Sequence, residues 1–83
     1  MARLVKRNGV PVDLTPREFD LLVLLVRNKG IALFRDRIYE EVWGLGEMEE
    51  TRTVNLHIQR IRKKLSLENE ITSVYKVGYR LNE

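Results

Sequence analysis

The chain has 83 residues, a net charge of +3 and 43% hydrophobic residues, which predicts one small globular domain rather than a disordered tail. It contains no cysteine, which excludes disulfide frameworks and cysteine-ligated metal sites and suits a reducing cytoplasm, the location we expect. No apolar run approaches the roughly 20 residues of a membrane helix, so no membrane partner is expected.

The first residues predict a β-hairpin with strands at residues 3–6 and 10–14. Asn8 and Gly9 lie between the strands, and this pair favours a tight turn because both residues tolerate positive φ. The hairpin begins almost at the first residue, which suggests a truncated sheet whose earlier strands are missing.

A helix is predicted to start after Thr15. Thr15, Pro16 and Glu18 supply an N-cap, a favoured first-turn proline and the acid of a capping box. Gly30 is the expected left-handed residue after the helix. Large apolar residues at three- and four-residue spacing form the expected inward face; they are Phe19, Leu22, Val23 and Val26, widened by Leu21, Leu24 and Leu25.

Residues 31–34 are expected to be an extended link to a short second helix over residues 36–44, with Asp36 as its cap. The expected inward residues of this helix are Ile38, Tyr39 and Val42. Two strands at residues 71–75 and 79–81, around a turn at residues 76–78, are predicted to end the domain.

A third helix is predicted over about residues 51–66. Its inward face is a narrow apolar seam at helical spacing, formed by Val54, Ile58, Ile61 and Leu65. The remaining faces carry cations and amides, and no acid follows Glu50 within the segment. Solvated helix faces usually mix both signs, because like charges at i,i+4 such as Arg60 and Lys64 repel.

Binding to nucleic acid would account for this composition of the exposed helix faces. Phosphates would explain the cations, and base edges in a DNA major groove would explain Asn55, Gln59, Arg60 and the apolar Leu56. An interaction module that uses the same helix to bind an acidic protein is the alternative. Double-stranded RNA is disfavoured, because a helix cannot read its deep, narrow major groove.

Four stretches carry a family resemblance, in the family's order and spacing: "LTPREFDLL", "EEVWG", "TRTVNLHIQRIRKKL" and "VGYRL". Together they resemble the winged-helix effector domain of OmpR/PhoB-type bacterial response regulators, over about residues 10–81. The resemblance implies an α+β winged helix-turn-helix fold. In it the third helix lies in the major groove of DNA, and the C-terminal hairpin, about residues 71–81, is a wing at the adjacent minor groove.

The resemblance also implies roles for single residues. Base contacts fall to Asn55, Leu56 and Arg60. The resemblance assigns contacts with the DNA backbone to Trp43, Arg52, His57, Arg62 and Ser73. We expect Gln59 and Lys63, on the polar face of the third helix, to contact the backbone as well. Tyr75 and Lys76 occupy the wing where the family usually has Arg-Gly, so the minor-groove arginine is missing. The loop that meets RNA polymerase in activators of this family corresponds to Gly44, Leu45, Gly46, Glu47, Met48, Glu49 and Glu50.

The family binds direct-repeat operators as head-to-tail pairs, so we expect a monomer that pairs on DNA and a receiver domain in the full-length protein. Some residues have a structural alternative: Trp43 partly in the core, His57 as a half-buried helix flank, and Tyr79 packing the wing against the third helix. Arg17, Arg27 and Lys29 are expected on a solvated face. Neither enzymatic activity nor a cofactor or metal is expected, because the single histidine has no second ligand and no nucleophile has an evident base partner.

Overall fold

The computed structural model describes residues 3–7, 9–44 and 51–82. The elements follow the predicted order with one addition, the short strand β3. They are β1 Arg3–Arg7, β2 Val10–Leu14, α1 Pro16–Arg27, β3 Leu33–Phe34, α2 Arg35–Trp43, α3 Thr51–Leu65, β4 Ile71–Val74 and β5 Gly78–Leu81. The predicted α+β class is confirmed.

The strands form two antiparallel sheets. β1 and β2 make the predicted hairpin, with Arg7 opposite Val10 and Gly9 at φ 80°; Asn8 of the predicted turn lies outside the described residues. The second sheet has the order β3–β5–β4. The expectation of a simple link at residues 31–34 was incomplete, because Leu33 and Phe34 pair with β5.

A glycine makes the β3–β5 pairing close enough to form. A Cβ added to Gly78 would lie 2.2 Å from the backbone oxygen of Leu33 and 3.0 Å from the backbone nitrogen of Arg35. Any other residue would therefore push β3 away from the wing.

The capping box of α1 is confirmed. The Glu18 N–H donates to Thr15 Oγ1 at 3.2 Å, and the Thr15 N–H donates to Glu18 Oε1 at 3.0 Å. Gly30 has the expected positive φ, 83°, but it lies two residues beyond the C-cap, Asn28.

The predicted inward face of α1 needs a correction. Leu21 and Leu25 are the fully buried apolar residues of the helix, whereas Val26 is 53% exposed. The helix packs on both α2 and α3. Apolar residues surround much of α1, so their spacing alone did not identify the stripe that faces those helices.

The start of α2 also differs from the prediction. The helix begins at Arg35 and its N-cap is Phe34, which makes no side-chain cap hydrogen bond. Asp36 lies inside the first turn, where its Oδ1 accepts from the Arg37 N–H at 2.9 Å. The Arg35 N–H instead donates to Val77 O at 3.3 Å, so the turn between β4 and β5 satisfies a donor that a cap would otherwise serve.

The seam of α3 is confirmed. Val54, Ile58 and Ile61 are fully buried and Leu65 is 3% exposed. The seam packs against α1, α2 and β2. The core thus lies between the three helices and the sheets, and it fixes which side of α3 faces outward. The buried apolar residues are Leu14, Leu21, Leu25, Leu33, Ile38, Tyr39, Val42, Val54, Ile58, Ile61, Leu65, Ile71, Tyr79 and Leu81.

Candidate nucleic-acid interface

α3 presents a polar face opposite its buried seam. Leu56 lies on this face with 49% of its surface exposed. The helix contains no aspartate or glutamate. The other exposed side chains of this face are Arg52, Gln59, Arg60 and Lys63. Three cations and an amide surround one apolar residue, which fits a phosphate backbone around base edges.

Lys64 is exposed in part but belongs to a different interaction. Its Nζ lies 2.6 Å from Oε1 of Glu18, whose side chain is 1% exposed. Burial disfavours the charged carboxylate and acts to raise the pKa of Glu18. The hydrogen bonds from Lys64 and the Thr15 N–H, with the charges of Lys64 and His57, outweigh this effect and hold that pKa below its ordinary value.

The sequence interpretation missed this ion pair, although one signal pointed to it. Glu18 lies three residues before Leu21 and seven before Leu25, so it shares their buried stripe. A buried carboxylate needs a cation or several donors. Lys64 therefore neutralises an acid of α1 rather than adding to the exposed positive face.

Asn55 joins α3 to the wing. Its Oδ1 accepts from the Tyr79 hydroxyl at 2.6 Å and from Arg35 Nε at 3.1 Å. The Tyr79 ring is buried, with the guanidinium carbons of Arg35 and Arg62 at 5.3 and 5.5 Å from its centroid. The prediction that Tyr79 packs the wing against the third helix is confirmed.

Arg62 and Ser73, both predicted to bind phosphate, bind each other. Arg62 Nε and Nη2 donate to Ile71 O at 3.0 and 2.6 Å, and Nη2 also donates to Ser73 Oγ at 3.2 Å. These bonds attach β4 to α3. A phosphate contact by either residue stays a prediction, and Ser73 is exposed enough to make one.

Trp43 and His57 lie together where α3 meets the end of α2. Trp43 stacks on Tyr39 with ring centroids 5.2 Å apart, and His57 meets it edge-on at 4.9 Å. His57 Nδ1 lies 2.8 Å from Thr53 O; a carbonyl only accepts, so Nδ1 carries the hydrogen. Trp43 packs partly against the core, as expected, and its predicted DNA contact stays open, as does that of His57.

The wing tip exposes the two residues that depart from the family pattern. Tyr75 is 86% exposed, and Lys76 Nζ lies 5.5 Å from its ring centroid. Lys76 has φ 60°, a left-handed conformation that favours glycine. β4 ends at Val74 and β5 begins at Gly78, so the turn occupies residues 75–77, one position earlier than predicted.

The predicted polymerase-facing loop is described only at Gly44, which follows α2 with φ 100°; its other six residues lie outside the described residues. Arg17 is not simply solvated as expected, because its Nη1 donates to Val42 O at 2.8 Å near the end of α2. Across residues 3–7, 9–44 and 51–82, no cluster of three or more His, Cys, Asp or Glu side chains is arranged to hold a metal ion. Within the same ranges no helix has the length and apolar character needed to cross a membrane.

Comparison with known sequences places this arrangement among transcription regulators. The chain is 45% identical over 84 residues to the "Uncharacterized transcriptional regulatory protein YclJ" of Bacillus subtilis, covering 98% of this chain and 37% of that protein. It is 43% identical over 83 residues to the DNA-binding response regulator MtrA of Mycobacterium tuberculosis, covering 95% and 36%. The chain thus spans about a third of the length of these relatives.

Solved structures show the same fold. The DNA-binding domain of Bacillus subtilis CssR matches with a TM-score of 0.83 and 32% identity, covering 98% of this chain and 99% of that one. The Klebsiella pneumoniae RstA DNA-binding domain in complex with the RstA box matches with a TM-score of 0.82 and 32% identity, covering 96% and 83%. Residues 9–81 match the family model described as "Transcriptional regulatory protein, C terminal". The chain therefore belongs to this family, the OmpR/PhoB-type winged-helix domains of response regulators.

Proposed function

We propose that this chain binds double-stranded DNA sequence-specifically, with α3 in the major groove and the β4–β5 hairpin as a wing at the adjacent minor groove. The observation that carries the proposal is the exposed, acid-free face of α3 around Leu56. The buried seam holds that face outward, and a B-DNA major groove is wide enough to admit an α-helix. Membership of the family and the likeness to the RstA domain support the same function.

Within this face we assign base contacts to three residues. Arg60 is exposed and suits a bidentate contact with O6 and N7 of guanine. Leu56 can cover a thymine methyl group. Asn55, which lies where α3 meets the wing, can contact a base edge through its side-chain amide.

The backbone contacts follow from charge and position. Arg52, Gln59 and Lys63 are exposed on α3 and can donate to phosphates on either side of the groove. Trp43 contributes its indole N–H at the edge formed with α2, and His57, whose Nδ1–H is donated to Thr53 O, presents its Nε2 edge. Arg62 and Ser73 extend this set toward the wing. The bonds among Arg62, Ile71 and Ser73 use neither Arg62 Nη1 nor the hydroxyl hydrogen of Ser73, and these groups can donate to phosphates.

The wing is expected to contribute less to sequence specificity than α3 does. An arginine reads the negative potential of a narrow minor groove, whereas the exposed tip here carries Tyr75 and Lys76. Lys76 supplies one flexible charge that suits a phosphate better than a groove floor. We therefore propose that specificity depends mainly on α3.

The proposal also covers the full-length protein. Because MtrA is a response regulator and the chain spans about a third of it, we assign a receiver domain to the full-length protein, which acts in the cytoplasm. We further propose that two copies bind a direct-repeat operator head to tail, the isolated domain being a monomer. The loop at residues 44–50 is the proposed contact with RNA polymerase.

A binding titration against salt tests the proposal. Three to five neutralised phosphates predict a log–log slope of roughly −3 to −4.5 on duplex DNA, and Lys63→Ala should reduce its magnitude by about 1. Lys29→Ala, which removes an exposed lysine after α1, is the matched control and should leave the slope unchanged. A slope near zero, or equal affinity for a selected duplex and a random one, would refute the proposed function.

A further inference from the structure

Two groups that donate hydrogen bonds to Asn55 fix the orientation of its side chain. Oδ1 lies 3.1 Å from Arg35 Nε and 2.6 Å from the Tyr79 hydroxyl. An arginine Nε–H only donates, so the amide oxygen must face it, and the hydroxyl must donate to the same oxygen. A flipped amide would place an N–H group against the arginine N–H.

This arrangement uses both lone pairs of Oδ1. An asparagine reads adenine through two bonds at once, accepting from N6 with its oxygen and donating to N7 with its nitrogen. Here the oxygen already has two partners, and the structure shows no acceptor for the Nδ2 hydrogens among the described residues. The side chain can therefore donate outward but has no free lone pair with which to accept.

The inner partners are held firmly. Tyr79 is 4% exposed, and the guanidinium groups of Arg35 and Arg62 both lie against its ring. A buried hydroxyl that lost its acceptor would remain unsatisfied, which opposes any rotation of Asn55 away from the network. The wing strand β5 and the first residue of α2 thus set the orientation of a side chain on α3.

We propose that Asn55 is a donor-only reader of a base edge, selecting guanine or thymine over adenine and cytosine. Tyr79 and Arg35 act as positioning residues that impose this selectivity. Guanine offers two acceptors in the major groove and thymine offers one, whereas cytosine offers only an amino donor and adenine places a donor beside its acceptor. The inference rests on the proposed function, since it requires α3 to lie in the major groove.

The test compares variants on four duplexes that differ only at the base read by Asn55, identified by selecting bound sites from a random pool. The unchanged protein should prefer guanine or thymine over adenine by about fivefold or more. Asn55→Asp keeps an oxygen for Arg35 and Tyr79 but turns the outward atom into an acceptor. Its preference should move to cytosine or adenine at this position alone.

Tyr79→Phe removes one inner donor and keeps the ring. It frees a lone pair of Oδ1, so the preference for guanine or thymine over adenine should fall about threefold or more, with the other positions of the site unchanged. The matched control is Tyr75→Phe, the same chemical change at the exposed wing tip, which should leave this ratio as it was even if it lowers the affinity for all four duplexes.

Three results would overturn the inference. Asn55→Asp could weaken all four duplexes equally, which is the behaviour of a phosphate contact or a packing residue. Tyr79→Phe could leave the adenine ratio unchanged, which removes the positioning role; if that variant did not fold, Asn55→Asp would decide alone. A wild-type protein that bound all four duplexes equally but still preferred the selected site over random duplex would refute the inference alone, whereas equal affinity for the selected site and random duplex would refute the proposed function as well.

Discussion

Lys64→Ala should destabilise the fold by leaving the Glu18 carboxylate buried without its cation. The two groups lie 2.6 Å apart, and the side chains of Lys64 and Glu18 are 36% and 1% exposed. Removing one partner of a fully buried ion pair costs about 3–5 kcal/mol. Water can reach the Lys64 side, so we discount this to about 1–3 kcal/mol, against a total stability of about 4–12 kcal/mol for a chain of this length.

The cost should depend on pH. The folded-state pKa of Glu18 lies below its ordinary value of 4.5, so in the wild type its stabilisation is complete above about pH 4.5 and is lost as the pH falls through the folded pKa. In Lys64→Ala, burial of Glu18 is no longer offset by the cation, and protonation relieves the variant. The difference in unfolding free energy should therefore be largest near pH 7 and should decline as the pH falls toward and below about 4.5.

Urea unfolding of the wild type and Lys64→Ala at pH 7 and at about pH 3.5 measures both effects. Lys63→Ala is the matched control, because Lys63 is an exposed lysine of the same turn and its loss should change stability by about 0.5 kcal/mol or less. The reasoning fails if Lys64→Ala costs no more than Lys63→Ala at pH 7, or if its cost is the same at both pH values.

Other perturbations test the fold at single positions. Gly78→Ala should lower the unfolding free energy by about 2 kcal/mol or more, because its Cβ would lie 2.2 Å from Leu33 O; an unchanged melting temperature would contradict the close β3–β5 contact. Lys76→Gly should raise stability by up to about 1 kcal/mol by relieving the left-handed backbone, measured by urea unfolding, and a loss of stability would show that no strain is present. Ile58→Asp should abolish the cooperative melting transition, because an unpaired carboxylate in the seam costs several kcal/mol; a folded variant that merely lost binding would mean that the faces of α3 are reversed.

Local chemistry made much of this fold predictable. The capping box of Thr15 and Glu18 and the turn before Val10 act within a few residues, so their patterns suffice. The seam of α3 was equally clear, because polar residues surround a narrow apolar stripe.

Long-range partners explain what the patterns missed. β3 has two residues, and only its pairing with β5, some 45 positions away, distinguishes it from a link. The Glu18–Lys64 pair spans 46 positions. Asn55 could be recognised as a polar residue of α3, but its partners Arg35 and Tyr79 come from two other elements. Spacing within one helix carries no information about such contacts.

The central claim is that the exposed face of α3 reads DNA sequence. The most direct measurement is the affinity of the wild type, Arg60→Ala and Arg52→Ala for a selected duplex and a random duplex at one salt concentration. Arg60→Ala should weaken binding to the selected duplex by about 1–3 kcal/mol and have little effect on the random one, whereas Arg52→Ala should weaken both about equally. Equal losses on both duplexes with Arg60→Ala would contradict a base contact by that face of the helix.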